Sequence, residues 1–199
     1  MITKITKYRK RTDQKSLLLR RYRHRLDRCV VGLIGRIMAC NAESAVDAAV
    51  LERCINEIVR RHESLRTTFS LVDGRPMQVI APQLTVPLVL HDLCALRPGE
   101  KQNIGHELIQ EELVHSFDLR NGPLIRTSLA RLDDREHLLL VSMHQTICDG
   151  WSLGVFVDEL VALYDALTDG RASPLAPLSI QYADFAHWQR DWPSRPEMV

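Results

Sequence analysis

Between residues 138 and 156 the sequence reads "LLLVSMHQTICDGWSLGVF", an apolar run that enters a group of polar residues and leaves as a helical pattern. His144 and Asp149 lie five apart with Gly150 next. An imidazole suits proton transfer near neutral pH, and a carboxylate beside it can fix a ring or pair with an arginine. A glycine there permits a tight turn and close approach of a substrate to backbone N–H groups. Taken alone, the same residues read equally well as a satisfied strand-end histidine and an aspartate bound to its own turn. Cys148, four residues after His144, adds a thiol that could act as a nucleophile, or with His144 and Asp149 as a metal ligand. No second ligand pair stands at zinc spacing, so a small buried thiol is the expected role.

These residues need a scaffold. "HLLLVSM" (137 to 143) is apolar on successive residues and predicts a central strand covered on both faces. Before it, Leu124 to Leu132 predicts a neighbouring antiparallel strand, joined through "DDRE". Helix resumes after "DGWS", with Ser152 as the expected cap and Leu153, Phe156, Val157, Leu160 and Tyr164 on one face. Upstream, residues 29 to 39 predict a strand, residues 47 to 62 a helix capped by Asp47, and "LRTTFSLVDGRPMQVIAP" a hairpin turning at Asp73 and Gly74. "TVPLVLHDL" predicts a further extended segment, and Pro98 to Phe117 a second helix. "SIQYADFAHWQRDW" predicts a short amphipathic helix whose Tyr182, Phe185 and Trp188 share a packing face. His62 and Glu63 end the first helix and could be read as acid and base, or as a structural pair. Strands and helices in this order predict an α/β sandwich on a mostly antiparallel mixed sheet.

Four stretches together resemble the condensation domains of nonribosomal peptide synthetases, within the chloramphenicol acetyltransferase-like superfamily. "MHQTICDG" resembles the HHxxxDG signature, "RHESLRTTF" (61 to 69) the RHExLRTxF block, "FDLRNGPLIRTSL" (117 to 129) the FDLxxGPLxR segment, and "QYADFAHWQ" (181 to 189) the YxDFAxW block. The resemblance implies one lobe of a two-lobe domain, in which an acyl thioester on one carrier protein meets an amine on another to form an amide. It implies no bound cofactor or metal; the phosphopantetheine arms of carrier proteins bring the substrates. Peptidyl or acyl carrier proteins, adjacent synthetase domains and a C-terminal lobe are the implied partners.

The resemblance also assigns roles. His144 stands at the first, architectural histidine, Asp149 at the aspartate that pairs with an arginine, and Gly150 at the glycine. Arg66 or Arg61 is the implied partner of Asp149, with Arg66 preferred because it begins the following strand. Gln145 stands where the family's reacting histidine would be. An amide can accept hydrogen bonds but cannot take up a proton, and loss of a general base costs roughly 10²- to 10⁴-fold. Impaired chemistry is therefore expected, although proximity alone sustains some aminolysis of a thioester. A noncatalytic carrier-docking module and an O-acyltransferase of the same superfamily are the alternative readings.

Composition bounds the rest. The 199 residues are 45% hydrophobic and 26% charged, ordinary for a globular protein. No apolar run is long enough to span a membrane, and the N-terminus has no secretory pattern, so a cytoplasmic location is expected. Five irregularly spaced cysteines predict free thiols. Residues 1 to 28 hold eleven Lys or Arg against two acids, a net of +9, leaving −8 on the remainder of a chain whose net charge is +1. That stretch reads as a solvated basic leader with no specific nucleic-acid motif. The expected organisation is leader 1–28, lobe 29–192 and tail 193–199, a half-domain that is a fragment, a degenerate gene product or part of a split system.

Overall fold

A computed structural model describes residues 30–38, 46–73 and 75–191. The basic leader, Gly74, Trp192 and the tail fall outside these residues. The described residues form six strands: β1 (Val30–Met38), β2 (Thr67–Val72), β3 (Arg75–Ile80), β4 (Leu88–Asp92), β5 (Ile125–Arg131) and β6 (Glu136–His144). Four α-helices accompany them: α1 (Ala48–Arg61), α2 (Pro98–Val114), α3 (Gly150–Thr168) and α4 (Tyr182–Asp191). A short 3₁₀ turn, Glu63–Arg66, joins α1 to β2.

The main sheet runs β1-β6-β5-β4, and β2 and β3 form a separate hairpin. β6 lies antiparallel to both neighbours, Val30 facing His144 and Ile125 facing Met143, while β4 lies parallel to β5. The sheet is thus mixed and mostly antiparallel. Every residue of β6 from His137 to His144 is buried, because helices cover both faces of the sheet. Alternation along the strand divides the core. Leu139, Val141 and Met143 meet Leu51, Ile55 and Ile58 of α1 and Phe156, Leu160 and Leu163 of α3. Leu138 and Leu140 face the other way, toward Ile104, Leu108 and Ile109 of α2.

Local chemistry sets the boundaries. Asp47 caps α1 by accepting from the N–H groups of Ala49 and Val50, at 2.9 and 3.1 Å. Asp73 turns the hairpin at a φ of +50°, a conformation that aspartate tolerates better than most residues. α2 ends at Val114, a turn earlier than the helical period predicts; His115 is extended, and residues 115–118 belong to neither helix nor strand. In the segment that follows, Leu119 O accepts from Phe69 N at 2.7 Å. Gly122 follows at a φ of +61°, and a Cβ there would lie 2.9 Å from Thr68 Cγ2. Only glycine lets the segment pass the hairpin.

Candidate functional site

The turn of residues 145–147 lies where β6 has left the sheet and α3 has not begun. His144 is the last strand residue and is buried, 5% exposed. The N–H of Thr146 donates to its Nδ1 at 3.2 Å, and the Thr146 hydroxyl lies 2.8 Å from the same nitrogen. A backbone N–H can only donate, so Nδ1 accepts and the neutral ring carries its proton on Nε2. Burial holds this imidazole below its ordinary range. Phe117 packs edge-on against the ring at 6.0 Å, and Arg126 Cζ lies 3.9 Å from the Phe117 centroid. The two ends of the "FDLRNGPLIR" stretch thereby meet behind His144. Gln145, next in sequence, is exposed.

Asp149 does not occupy the place that the sequence suggests. It is exposed and caps α3, accepting through Oδ1 from the N–H of Ser152 at 2.8 Å and from its hydroxyl at 2.7 Å. These bonds, the backbone one first, hold its carboxyl below the usual range. Ser152, expected as the cap, instead donates to it. Neither arginine is its partner. Arg61 Nε pairs with Glu159 Oε1 at 2.9 Å, and Arg66 reaches Glu63 at 3.3 Å and the Ala81 carbonyl. Arg61 ends α1 and Arg66 ends the 3₁₀ turn after it, and each is taken up by another partner, while Asp149 lies at the start of α3 and turns to its own helix. Gly150 is the first residue of α3, its φ is not positive, and a Cβ there would meet nothing within 4 Å. The fold itself does not require a glycine at that position.

His62 and Glu63 also part company. His62 Nε2 lies 2.8 Å from Glu159 Oε2, so neither acts as the other's partner. Glu159 was not singled out by the sequence, yet it is buried within the apolar stripe of α3. The available signal was an acid three residues after Phe156 on the face that Leu160 and Leu163 share. Cys148 is buried, and burial pushes its thiol up to about 11, which removes the thiolate that nucleophilic or metal chemistry would need. No group of three metal-ligating side chains comes together among the described residues. Tyr182, Phe185 and Trp188 stack on one another at 6.0 and 5.7 Å, but they remain 54%, 43% and 41% exposed rather than entering the core. Trp151, one residue after Gly150, is 84% exposed. No described helix is long and apolar enough to cross a membrane.

A family model for the condensation domain matches residues 37–197. The chain belongs to the condensation-domain family. A linear gramicidin synthase of Brevibacillus parabrevis is 45% identical to it over 154 residues, 77% of this chain and 2% of that synthase. Phosphinothricin tripeptide synthetase PhsC of Streptomyces viridochromogenes is 43% identical over 145 residues, 73% of this chain and 13% of the synthetase. Among solved structures, the X-domain from teicoplanin biosynthesis superposes with a TM-score of 0.72 at 28% identity, covering 96% of this chain and 41% of that one. SgcC5 from Streptomyces globisporus gives a TM-score of 0.70 at 29% identity, covering 84% of this chain and 36% of that one. The chloramphenicol acetyltransferase-like sandwich expected from the sequence is the fold found. This condensation-domain chain spans about two-fifths of those solved chains and a small part of the synthases, a share that fits an N-terminal half.

Proposed function

We propose that the chain is the N-terminal lobe of a condensation domain that joins a carrier-bound acyl thioester to a carrier-bound amine, with Gln145 at the reacting position. The supporting observation is the division of labour at the end of β6: His144 is buried and spends Nδ1 on Thr146, whereas Gln145 is exposed. In the reaction the amine nitrogen attacks the thioester carbonyl, the C–N bond forms, the C–S bond breaks, and the amine proton ends on the departing thiol. Gln145 Oε1 can accept a hydrogen bond from the amine and align its lone pair, and Nε2 can donate to the carbonyl oxygen as it gains charge. Neither group carries the proton. Turnover then rests on proximity, and the phosphopantetheine arms of carrier proteins are substrates rather than resident groups.

The test is Gln145→His in this chain supplied with a matching second lobe and identical loaded carriers. Amide formation is expected to rise roughly 10²-fold or more, with folding unchanged at this exposed position. Equal rates with intact folding and equal carrier binding would refute the assignment of Gln145 to the reacting position. The same glutamine favours a second reading, a noncatalytic module that docks a carrier protein. Carrier binding without amide formation, in parent and Gln145→His alike, would establish that reading instead.

A further inference from the structure

The second side-chain cluster of the molecule lies away from the turn, at the C-terminal end of α1. Arg61 and His62 both direct their side chains at Glu159, one to each carboxylate oxygen, at 2.9 and 2.8 Å. All three are largely buried, with side chains 13%, 22% and 11% exposed. The same short segment is held from its other side. Gln181 accepts through Oε1 from the N–H of Glu63 at 3.1 Å and donates through Nε2 to the Arg61 carbonyl at 3.0 Å. Arg61 also donates through Nη1 to the Ala176 carbonyl. One three-residue stretch, "RHE", therefore binds α3 through Glu159 and the entry to α4 through Gln181.

We infer that Glu159 is a positioning residue, which with Arg61 and His62 forms an ionic clasp that fixes the axial register of α3 and so the place of the 145–149 turn. Apolar packing alone leaves a helix some freedom to slide and rotate, because dispersion contacts are non-directional and side chains can re-pack. A carboxylate held at both oxygens by donors from another helix removes both freedoms, since its bonds are directional and charge-assisted. Glu159 lies ten residues beyond Asp149, about 15 Å along the axis. α3 is a continuous helix over that distance, so a displacement at Glu159 is carried to its first turn. The cluster serves no other visible purpose: a buried ionic group gives little net stability over apolar residues, and its attested use is to specify one arrangement. That the turn is the reacting turn rests on the function proposed for Gln145; that the clasp sets its place does not.

The experiment is amide hydrogen exchange, read residue by residue by NMR, on the 199-residue chain. Glu159→Gln is compared with Leu163→Ala, a core truncation on the same helix, with protection normalised to each variant's global stability. After that normalisation, Glu159→Gln is expected to lower protection at the Ser152 and Leu153 amides, which bond Asp149, roughly tenfold more than Leu163→Ala does. His62→Ala, which removes one arm only, is expected to give the same pattern at smaller amplitude and serves if Glu159→Gln does not fold. Gln181→Ala is expected to release amides of α4 while leaving Ser152 and Leu153 protected. Uniform loss of protection after Glu159→Gln or His62→Ala, or no selective change at Ser152 and Leu153, would make Glu159 an ordinary stabilising contact and overturn the proposal.

Discussion

Replacing Asp149 by alanine removes two acceptor contacts, to Ser152 N at 2.8 Å and to Ser152 Oγ at 2.7 Å, and one negative charge at the start of α3. Loss of an N-cap side chain costs about 1 kcal/mol, within a range of about 0.5–2. A charge at a helix N-terminus adds about 0.3–1 kcal/mol. The expected penalty at pH 7 is thus about 1–2 kcal/mol. Had Asp149 been the buried partner of Arg61 or Arg66, stranding the arginine would cost about 3–5 kcal/mol. Asp149→Asn keeps the cap and loses only the charge, so it should cost about 0.3–1 kcal/mol. Urea unfolding of the three proteins, with shared m-values, measures these differences. Acid pH provides a second check on the charge. The Asp149 carboxyl is held below its ordinary range in the fold, so its contribution is present above the unfolded value of about 3.9 and is lost as pH falls through the folded one. The gap between parent and Asp149→Ala should therefore narrow below about pH 4. A penalty of about 3 kcal/mol or more at pH 7, equal for Ala and Asn, would refute the capping assignment in favour of a buried ion pair.

Three other outcomes are expected. His137 and His144 are both held below the ordinary imidazole range by burial, so the unfolded chain binds more protons as pH falls below about 6.5; stability should decline toward pH 5, by at most about 1.4 kcal/mol per pH unit for each ring, and a flat or rising profile would contradict it. Asn56 donates to the carbonyls of Glu52 and Val86 and accepts from the N–H of Val86, so Asn56→Ala should cost about 2–4 kcal/mol in the same urea assay by leaving buried Val86 groups unpaired. Burial raises the thiols of Cys54 and Cys148 to about 12 and about 11, so iodoacetamide at pH 7.5 should label neither until the protein is unfolded, as peptide mass mapping would show.

Much of the framework is written in local sequence, because its causes are local. The switch from helical spacing at Leu51, Cys54, Ile55 and Ile58 to the unbroken apolar run of "HLLLVSM" marks α1 and β6, Asp47 marks a cap by short-range bonding, and Asp73 marks a turn by its tolerance of a positive φ. The four motif blocks sufficed to name the family, and the unbroken apolar run of β6 carried burial as far as His144, while the turn that follows left Gln145 exposed. Which charges meet was not legible there. Arg61 and Glu159 are ninety-eight residues apart, and nothing in either neighbourhood encodes the distance between the end of α1 and the middle of α3. Asp149 is the instructive case. A short acidic side chain before a helix can bond an arginine elsewhere or the N–H three residues on, and both uses look alike in sequence. The tertiary structure decided between them by placing every candidate arginine against another partner, and it left the carboxylate at the one donor always within reach, the first turn of its own helix.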